Sequence, residues 1–225
     1  MRRILFPLIL GLGGIAILLN LGFWQLRRLE WKESILATIA ARIDAPPEQL
    51  PPEGADGQAL KYTPVRVAGR TTGQELHMLT GRQGVGPGFE VIAAFETADG
   101  RRILLDRGFI PETAKDMPRP PVDLDVTGNI HWPDETTAST PAPDIGRNIW
   151  FARDVPAMAA ALETEPLMVA ARSVDGAGQG VVPVPISVEG IRNDHLNYAI
   201  TWFSLAGVWA GMTGYLLWRI RRRTI

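Results

Sequence analysis

The chain has 225 residues, a mean hydropathy of +0.03 and a net charge of −1, values that fit one domain of ordinary size together with two membrane spans. It contains no cysteine, which excludes disulfides, thiolate metal sites, cysteine nucleophiles and any copper-carrying or thiol-exchanging role that needs paired thiolates. All but one of the 24 acidic residues lie between positions 33 and 194, and so acidic a middle segment argues against nucleic acid as a partner.

Two uncharged apolar runs near the ends of the chain are long enough to cross a membrane. Residues 4 to 24 read ILFPLILGLGGIAILLNLGFW and residues 196 to 218 read LNYAITWFSLAGVWAGMTGYLLW, each about the twenty residues that a transmembrane helix needs. Arg2 and Arg3 would also suit a cleaved signal peptide, but no small-x-small cleavage site follows the first run. The charged residues 25 to 33 instead suit an uncleaved anchor whose helix continues beyond the membrane surface.

Basic residues predict the orientation of the two spans. The sequence RIRRR at 219 to 223 follows the second run and places the C-terminus in the cytoplasm by the positive-inside bias. The first run alone is ambiguous, because Arg27, Arg28 and Lys32 lie on its far side. Two spans put the N-terminus in the cytoplasm too and leave the acidic middle segment in the periplasm. The absence of an Arg- and Ser-rich presequence favours a bacterial inner membrane.

The middle segment has the pattern of a β-rich domain. Residues 43 to 61 are dense in Pro, Gly and acidic residues and predict an irregular connection. Seven short stretches rich in β-branched or aromatic residues then predict an antiparallel sheet or small barrel, at 65–69, 75–80, 89–96, 102–109, 122–130, 167–171 and 181–188. The Asp99-Gly100 pair predicts a hairpin over 89–109. Asp154 as a cap and Pro156 in the first turn predict one helix over 155–163.

The predicted fold class is therefore a membrane protein in which two transmembrane α-helices flank a β-rich α+β periplasmic domain. Residues 1–33 form the N-terminal anchor with a short extension, and residues 34–192 form the periplasmic domain. Residues 193–225 form the second transmembrane helix and a basic cytoplasmic tail.

Most polar motifs of the chain favour a structural role over a catalytic one. The glycine-rich loops at 81–89 and 176–180 lack the Lys-Ser/Thr pair and the strand-to-helix context of a phosphate-binding loop. His77 and His131 are too widely spread for a local metal motif. No nucleophile elbow marks a Ser/His/Asp triad. A membrane-anchored hydrolase has little support, and the chain is predicted not to be an enzyme.

His195 differs from the other histidines because it opens the second span. At about 100° per residue, Trp202, Ala206 and Trp209 fall on the same helical stripe as His195. An imidazole can ligate haem iron, and aromatic surfaces beside a small residue can accept the face of a macrocycle. Alternatively, His195, Tyr198 and Trp202 form an interfacial belt of the kind found at span ends. Spacing alone favours the belt.

Small residues predict how the two spans pair. The second run has a small-xxx-small pattern about 120° from the His195 stripe, at residues 207, 211 and 214. The first run has a matching stripe at residues 11, 14 and 22. We expect these two glycine stripes to pack together, which would leave the histidine face open to a ligand or partner.

Four segments resemble the Surf1 (Shy1-like) family of cytochrome c oxidase assembly factors: GFWQLRRLEWKE at 22–33, YTPVRVAGR at 62–70, GPGFEVIAAFETADGRRILLDRGFIP at 86–111 and NDHLNYAITWFSLA at 193–206. The resemblance covers nearly the whole chain, although Asp106 and Phe109 stand where many members have Asn and Trp. It implies two spans around an extracytoplasmic domain, in agreement with the hydropathy pattern.

The resemblance also implies a role in delivering or stabilising haem a during maturation of the oxidase's catalytic subunit. In bacterial members the histidine that opens the second span is associated with haem a binding, and His195 occupies that position. We therefore expect His195 to be an axial ligand of the haem iron, with Trp202, Tyr198 and Ala206 shaping the pocket. Expected partners are oxidase subunit I, other oxidase assembly factors or haem a synthase, and membrane lipid. The alternative is a scaffold that holds nascent subunit I without binding a cofactor.

Overall fold

The structure is a computed structural model and describes residues 2–222. Both apolar runs are helical, in α1 (Arg2–Ile43) and α3 (His195–Arg222), and both helices are long and apolar enough to cross a membrane. The chain divides into two compact units, one made of Met1–Thr38 with Val188–Ile225 and the other of Ile39–Ser187. The predicted arrangement of two apolar terminal helices around a β-rich domain is confirmed.

Helix α1 continues well beyond the apolar run and ends at Ile43. The carbonyl oxygen of Ile43 accepts hydrogen bonds from Asn129 Nδ2 at 3.0 Å and Arg172 Nη1 at 3.1 Å, so a carbonyl that the helix end leaves open is satisfied. Residues 44–61 then form turns and the two-residue strand β1 (Glu48–Gln49), as expected for an irregular connection.

Five longer strands close into a barrel. They are β2 (Pro64–Arg82), β3 (Gly86–Thr97), β4 (Arg102–Pro111), β5 (Asp123–Ile130) and β6 (Met168–Gly176). The strand order is β2-β3-β4-β6-β5, and pairing of β5 with β2 closes the ring. All these pairs are antiparallel except β4 with β6. The prediction of a small, mainly antiparallel barrel is confirmed.

Short-range signals correctly located the β3–β4 hairpin and the helix of this domain. Gly100 has φ of +86° in the turn between β3 and β4, a conformation that glycine adopts without steric cost. Helix α2 (Val155–Leu162) begins where the Asp154 carboxylate accepts a hydrogen bond from the Ala157 N–H at 3.0 Å, and Pro156 lies in its first turn.

Two strand predictions need correction. Residues 65–69 and 75–80 belong to one strand, β2, which is interrupted by an irregularity between Thr71 and Glu75. Residues 181–188 do not form a strand, because Pro183 and Pro185 have no N–H to donate and only an isolated bridge between Val182 and Phe109 remains. That bridge requires glycine at position 108, where φ is +113° and a Cβ would lie 2.1 Å from the Val182 carbonyl oxygen.

Apolar side chains fill the barrel and the space beneath α2. One cluster joins inward-facing residues of β2 to β6, among them Val65, Phe95, Ile103, Leu105, Val126, Ile130 and Val169. A second packs α2 through Met158 and Leu162 against Ile92 and Leu104 on the outside of the barrel, and a third joins Phe89, Val91 and Ile110 to Ile149 and Val181. With both faces of β3 and β4 covered, polar side chains on these two strands lie in buried surroundings.

Candidate functional site

Helix α1 presents glycines to larger side chains of α3. A Cβ at Gly11 would lie 2.2 Å from Thr213, one at Gly14 would lie 2.4 Å from Trp209, and one at Gly22 would lie 2.6 Å from Phe203. The Trp209 Nε1–H donates a hydrogen bond to the Gly11 carbonyl at 3.2 Å. Glycines at these positions therefore allow α1 and α3 to approach closely.

The prediction that the glycine stripe of α3 faces α1 is wrong. A Cβ at residue 207, 211 or 214 would meet nothing within 4 Å. The stripe that carries His195 faces α1 instead, and its Ala199 and Ala206 are only 1% and 4% exposed. When a large side chain such as Trp209 packs against a glycine of the other helix, the two helices make more van der Waals contact than when glycine packs against glycine. The histidine face is therefore the packing face of the pair.

His195 is held by a hydrogen bond to Gln25 of α1. The two atoms, His195 Nδ1 and Gln25 Oε1, are 2.7 Å apart, and Gln25 is 9% exposed. An amide oxygen only accepts, so Nδ1 carries the proton and Nε2 keeps its lone pair in the neutral ring. Nε2 has no hydrogen-bond partner among residues 2–222. Histidines that ligate metals have this arrangement, in which the second N–H donates to a fixed acceptor.

The other predicted pocket residues differ in their accessibility. Tyr198 is 53% exposed, and Trp202 is partly buried about two helical turns from His195 on the same stripe. Ala206 is buried and offers little open surface to a ligand. The residues present fit an axial imidazole ligand for haem iron, with the free nitrogen at the end of the helix pair where aromatic surfaces of α3 remain open. The sequence prediction missed Gln25 as a partner of His195, although Gln25 lies in the segment 22–33 that carries part of the family resemblance.

A second group of functional interest lies in the barrel domain. Glu90, Asp106, His131 and Arg153 line a cavity of about 320 Å³. Arg153 Nη1 lies 2.9 Å from Glu90 Oε2 and 3.6 Å from Asp106 Oδ2, and its Nη2 also pairs with Glu135. One guanidinium is therefore shared among three carboxylates.

Burial shifts the pKa values of Asp106, Glu90 and His131 in this cavity. It raises the pKa of Asp106 to about 7, and the nearby charge of Glu90 acts in the same direction. Burial also raises the pKa of Glu90 and lowers the pKa of His131 to about 3. The cluster can hold and release a proton near neutral pH. Among residues 2–222, no group of three His, Asp or Glu side chains is arranged to hold a metal ion.

His77 belongs to a third buried polar group. Its Nε2 lies 2.8 Å from Glu75 Oε1, and Arg119 Nε donates to the same oxygen at 2.8 Å. Burial acts to raise the pKa of Glu75, but hydrogen bonds from His77 and Arg119 outweigh it and hold that pKa below its usual range. Arg119 also donates to the carbonyls of Ala114 and Lys115, so the group ties β2 to the segment that follows β4.

Comparisons with known proteins identify the family of the chain. The model of the SURF1 family matches residues 12–207, a region that contains Gln25, the barrel and His195. The chain is 32% identical over 204 residues to a SURF1-like protein of Rickettsia felis, which covers 85% of this chain and 88% of that protein. It is 28% identical over 226 residues to Surfeit locus protein 1 of Rattus norvegicus, covering 91% and 72% of the two chains. It is 29% identical over 220 residues to Surfeit locus protein 1 of Homo sapiens, covering 88% and 71%. The chain belongs to the SURF1 family.

Proposed function

We propose that this chain is an assembly factor for haem-copper cytochrome c oxidase, and that it binds haem a on His195 and aids its insertion into, or stabilisation in, the catalytic subunit. The observation that carries the proposal is the hydrogen bond from His195 Nδ1 to Gln25, which orients the ring and leaves Nε2 free. Membership of the SURF1 family supports it, because the sequence resemblance implies a role in oxidase assembly.

His195 and the residues predicted to accompany it have separate roles in this proposal. Haem a is cargo, and its redox chemistry belongs to the oxidase that receives it. His195 supplies the nitrogen lone pair, and Gln25 fixes the ring by accepting from Nδ1. Tyr198 and Trp202 offer aromatic surface to the macrocycle. Ala206 contributes indirectly, because its buried small side chain lets α3 pack closely on α1.

The proposed setting is a bacterial inner membrane with both termini in the cytoplasm. The basic residues that follow the second span support this orientation. In this orientation the barrel is periplasmic and His195 lies at the periplasmic end of α3, where a membrane-soluble macrocycle can reach it. Oxidase subunit I, other oxidase assembly factors or haem a synthase, and membrane lipid are the partners that we propose.

A scaffold that holds nascent subunit I without a cofactor is the second candidate. The glycine face of α3 favours it, since residues 207, 211 and 214 meet nothing within 4 Å and leave a flat surface that another transmembrane helix can approach. An optical spectrum of the protein, purified in detergent from cells that make haem a, separates the two functions. Haem a absorption in the purified wild-type protein supports the first, and a colourless protein supports the scaffold.

Two alanine substitutions test the roles that we assign to His195 and Trp202 in haem binding. We expect His195→Ala to remove an iron ligand that no thiolate or neighbouring histidine can replace. Trp202→Ala should weaken retention of the pigment more mildly, because it removes contact area and leaves the ligand in place. A larger loss from Trp202→Ala than from His195→Ala would contradict these assignments.

A further inference from the structure

We propose that Lys32 and Arg28 bind the propionate carboxylates of the haem whose iron His195 ligates, and so select an anionic porphyrin. This inference rests on the proposed haem binding and adds the part of the molecule that recognises the edge of the macrocycle. It also gives a function to Lys32 and Arg28. In the proposed orientation both lie on the periplasmic side of the membrane, where the positive-inside bias disfavours basic residues.

The two basic residues share a helix face with the residue that orients His195. Gln25, Arg28 and Lys32 recur at intervals of three and four residues along α1, which places them on neighbouring positions of one face. Lys32 follows Gln25 by two turns, about 10.5 Å along the axis. Its Nζ donates to the Arg192 carbonyl at 2.6 Å, just before the start of α3 at His195. A positive charge therefore lies beside the helix end that carries the proposed ligand.

These charges are not neutralised by the protein. Within residues 2–222, neither Arg28 nor Lys32 forms an ion pair with a carboxylate, and Asp194 beside His195 is paired with Arg192. The Arg28 guanidinium lies over the Trp31 ring at 3.9 Å from its centroid, a contact that leaves its N–H edge free. The Lys32 ammonium has three N–H donors and uses one on the Arg192 carbonyl.

A haem presents two carboxylates along one edge, and its iron lies at the centre of the macrocycle. With the iron on His195, carboxylates that point toward the aqueous phase can form charge-assisted hydrogen bonds with Lys32 and Arg28. The apolar part of the macrocycle then lies toward the membrane, beside Tyr198 and Trp202. The site would thus match the two ends of the ligand, with the cations of Lys32 and Arg28 at the aqueous end and the aromatic rings of Tyr198 and Trp202 at the membrane end.

Titration of the full-length, pigment-free protein in detergent tests this inference. The probes are ferric protoporphyrin IX, which carries the two propionates, and its dimethyl ester, which carries no charge on them. We expect the wild type to bind the free acid about tenfold more tightly than the ester. Lys32→Met and Arg28→Met should each weaken binding of the acid by up to about fivefold, the range for an exposed ion pair, and leave binding of the ester unchanged.

Arg222→Met is the matched control. The Arg222 guanidinium lies over the Trp218 ring at 4.2 Å, a contact like that of Arg28 with Trp31, but at the opposite end of α3 from His195. This variant should bind both porphyrins as the wild type does.

Each other outcome overturns the inference in a recognisable way. Equal affinity of the wild type for acid and ester, or equal losses for both in the variants, would overturn the carboxylate contacts and leave iron ligation by His195 standing. Binding of neither porphyrin would overturn haem binding and this inference together. If Lys32 and Arg28 instead bind phospholipid phosphates, their variants would retain less phosphatidylglycerol after purification and would show no difference between acid and ester, which would also overturn the inference.

Discussion

His195 Nδ1 and Gln25 Oε1 are joined by a hydrogen bond of 2.7 Å although 170 positions separate the two residues in sequence. Because the bond links α3 to α1, the packing of the two helices determines which histidine nitrogen is free. The chemistry proposed for α3 therefore depends on α1, and the first two predictions follow from that dependence.

Gln25→Leu removes the acceptor while keeping a side chain of similar size. We expect haem affinity to fall by about 10- to 100-fold, the range for loss of a partner that orients a metal-binding histidine. The optical spectrum of the remaining complex should also change, because the ring is free to rotate. Gln25→Glu keeps an acceptor oxygen and should restore most of the affinity. Unaltered affinity and spectrum in Gln25→Leu would show that Gln25 does not position the ligand.

Gly14→Val places a side chain where a Cβ alone would lie 2.4 Å from Trp209. Overpacking of this kind costs about 1–3 kcal/mol, so the protein in detergent should unfold at a lower temperature and retain less haem. Gly13→Val is the control, because nothing lies within 4 Å of a Cβ at Gly13 and both changes put the same residue in the same helix. Equal melting temperatures for the two variants would contradict the packing of α1 on α3.

Asp106→Asn should alter how stability depends on pH. The pKa of Asp106 is about 7 in the folded protein and 3.8 when unperturbed, so the folded state binds the additional proton between these values. The contribution of Asp106 to the free energy of unfolding therefore falls as pH rises from about 4 to 7, by at most about 4 kcal/mol. Asparagine does not titrate and keeps an oxygen that can accept from the Gly108 N–H. The variant should gain stability relative to the wild type as pH rises.

Urea unfolding of both proteins at several pH values between 4 and 8 measures this difference. Comparing variant with wild type separates Asp106 from His131, whose lowered pKa makes the protein lose stability as pH falls below about 6.5. Asp123→Asn, a change at an exposed carboxylate on β5, should follow the wild-type curve. A constant difference between Asp106→Asn and wild type across this range would refute the raised pKa.

The cysteine-free sequence offers a direct test of topology. Two variants, Ala138→Cys and Thr224→Cys, each introduce a single cysteine. Ala138 lies on an exposed loop of the barrel domain, and Thr224 belongs to the C-terminal tail, outside the described residues. In intact cells whose outer membrane has been permeabilised, a membrane-impermeant maleimide should label the first and spare the second. Labelling of Thr224→Cys in intact cells would overturn the proposed orientation.

The sequence predicted elements whose signals are local and missed those that depend on distant partners. Asp99-Gly100 and the Asp154 cap act over a few residues, so the hairpin and α2 were located correctly. The stretch 181–188 has β-branched residues, but its prolines cannot join a ladder, and the single bridge that remains depends on Gly108 in β4.

The helix pair shows the same limit within the candidate site. Both faces of α3 carry small residues, and the sequence does not reveal that Trp209 fits a notch at Gly14. The wrong choice of face also concealed Gln25, since a residue on α1 becomes a partner of His195 only when the histidine stripe faces α1. Similarly, the sharing of Arg153 among three carboxylates joins β3, β4 and two loops and has no local signature.

The most direct test of the central claim is the amount of haem a per mole of purified protein for wild type and His195→Ala, both made in the same haem-a-producing strain. A change from histidine to alanine at a partly exposed position near a helix end should leave insertion and folding intact, so any loss of pigment reports on the ligand. We predict haem a absorption in the wild type and a strong loss of it in the variant at equal protein yield. Equal occupancy with unchanged spectra would remove His195 as the axial ligand and return it to an interfacial role.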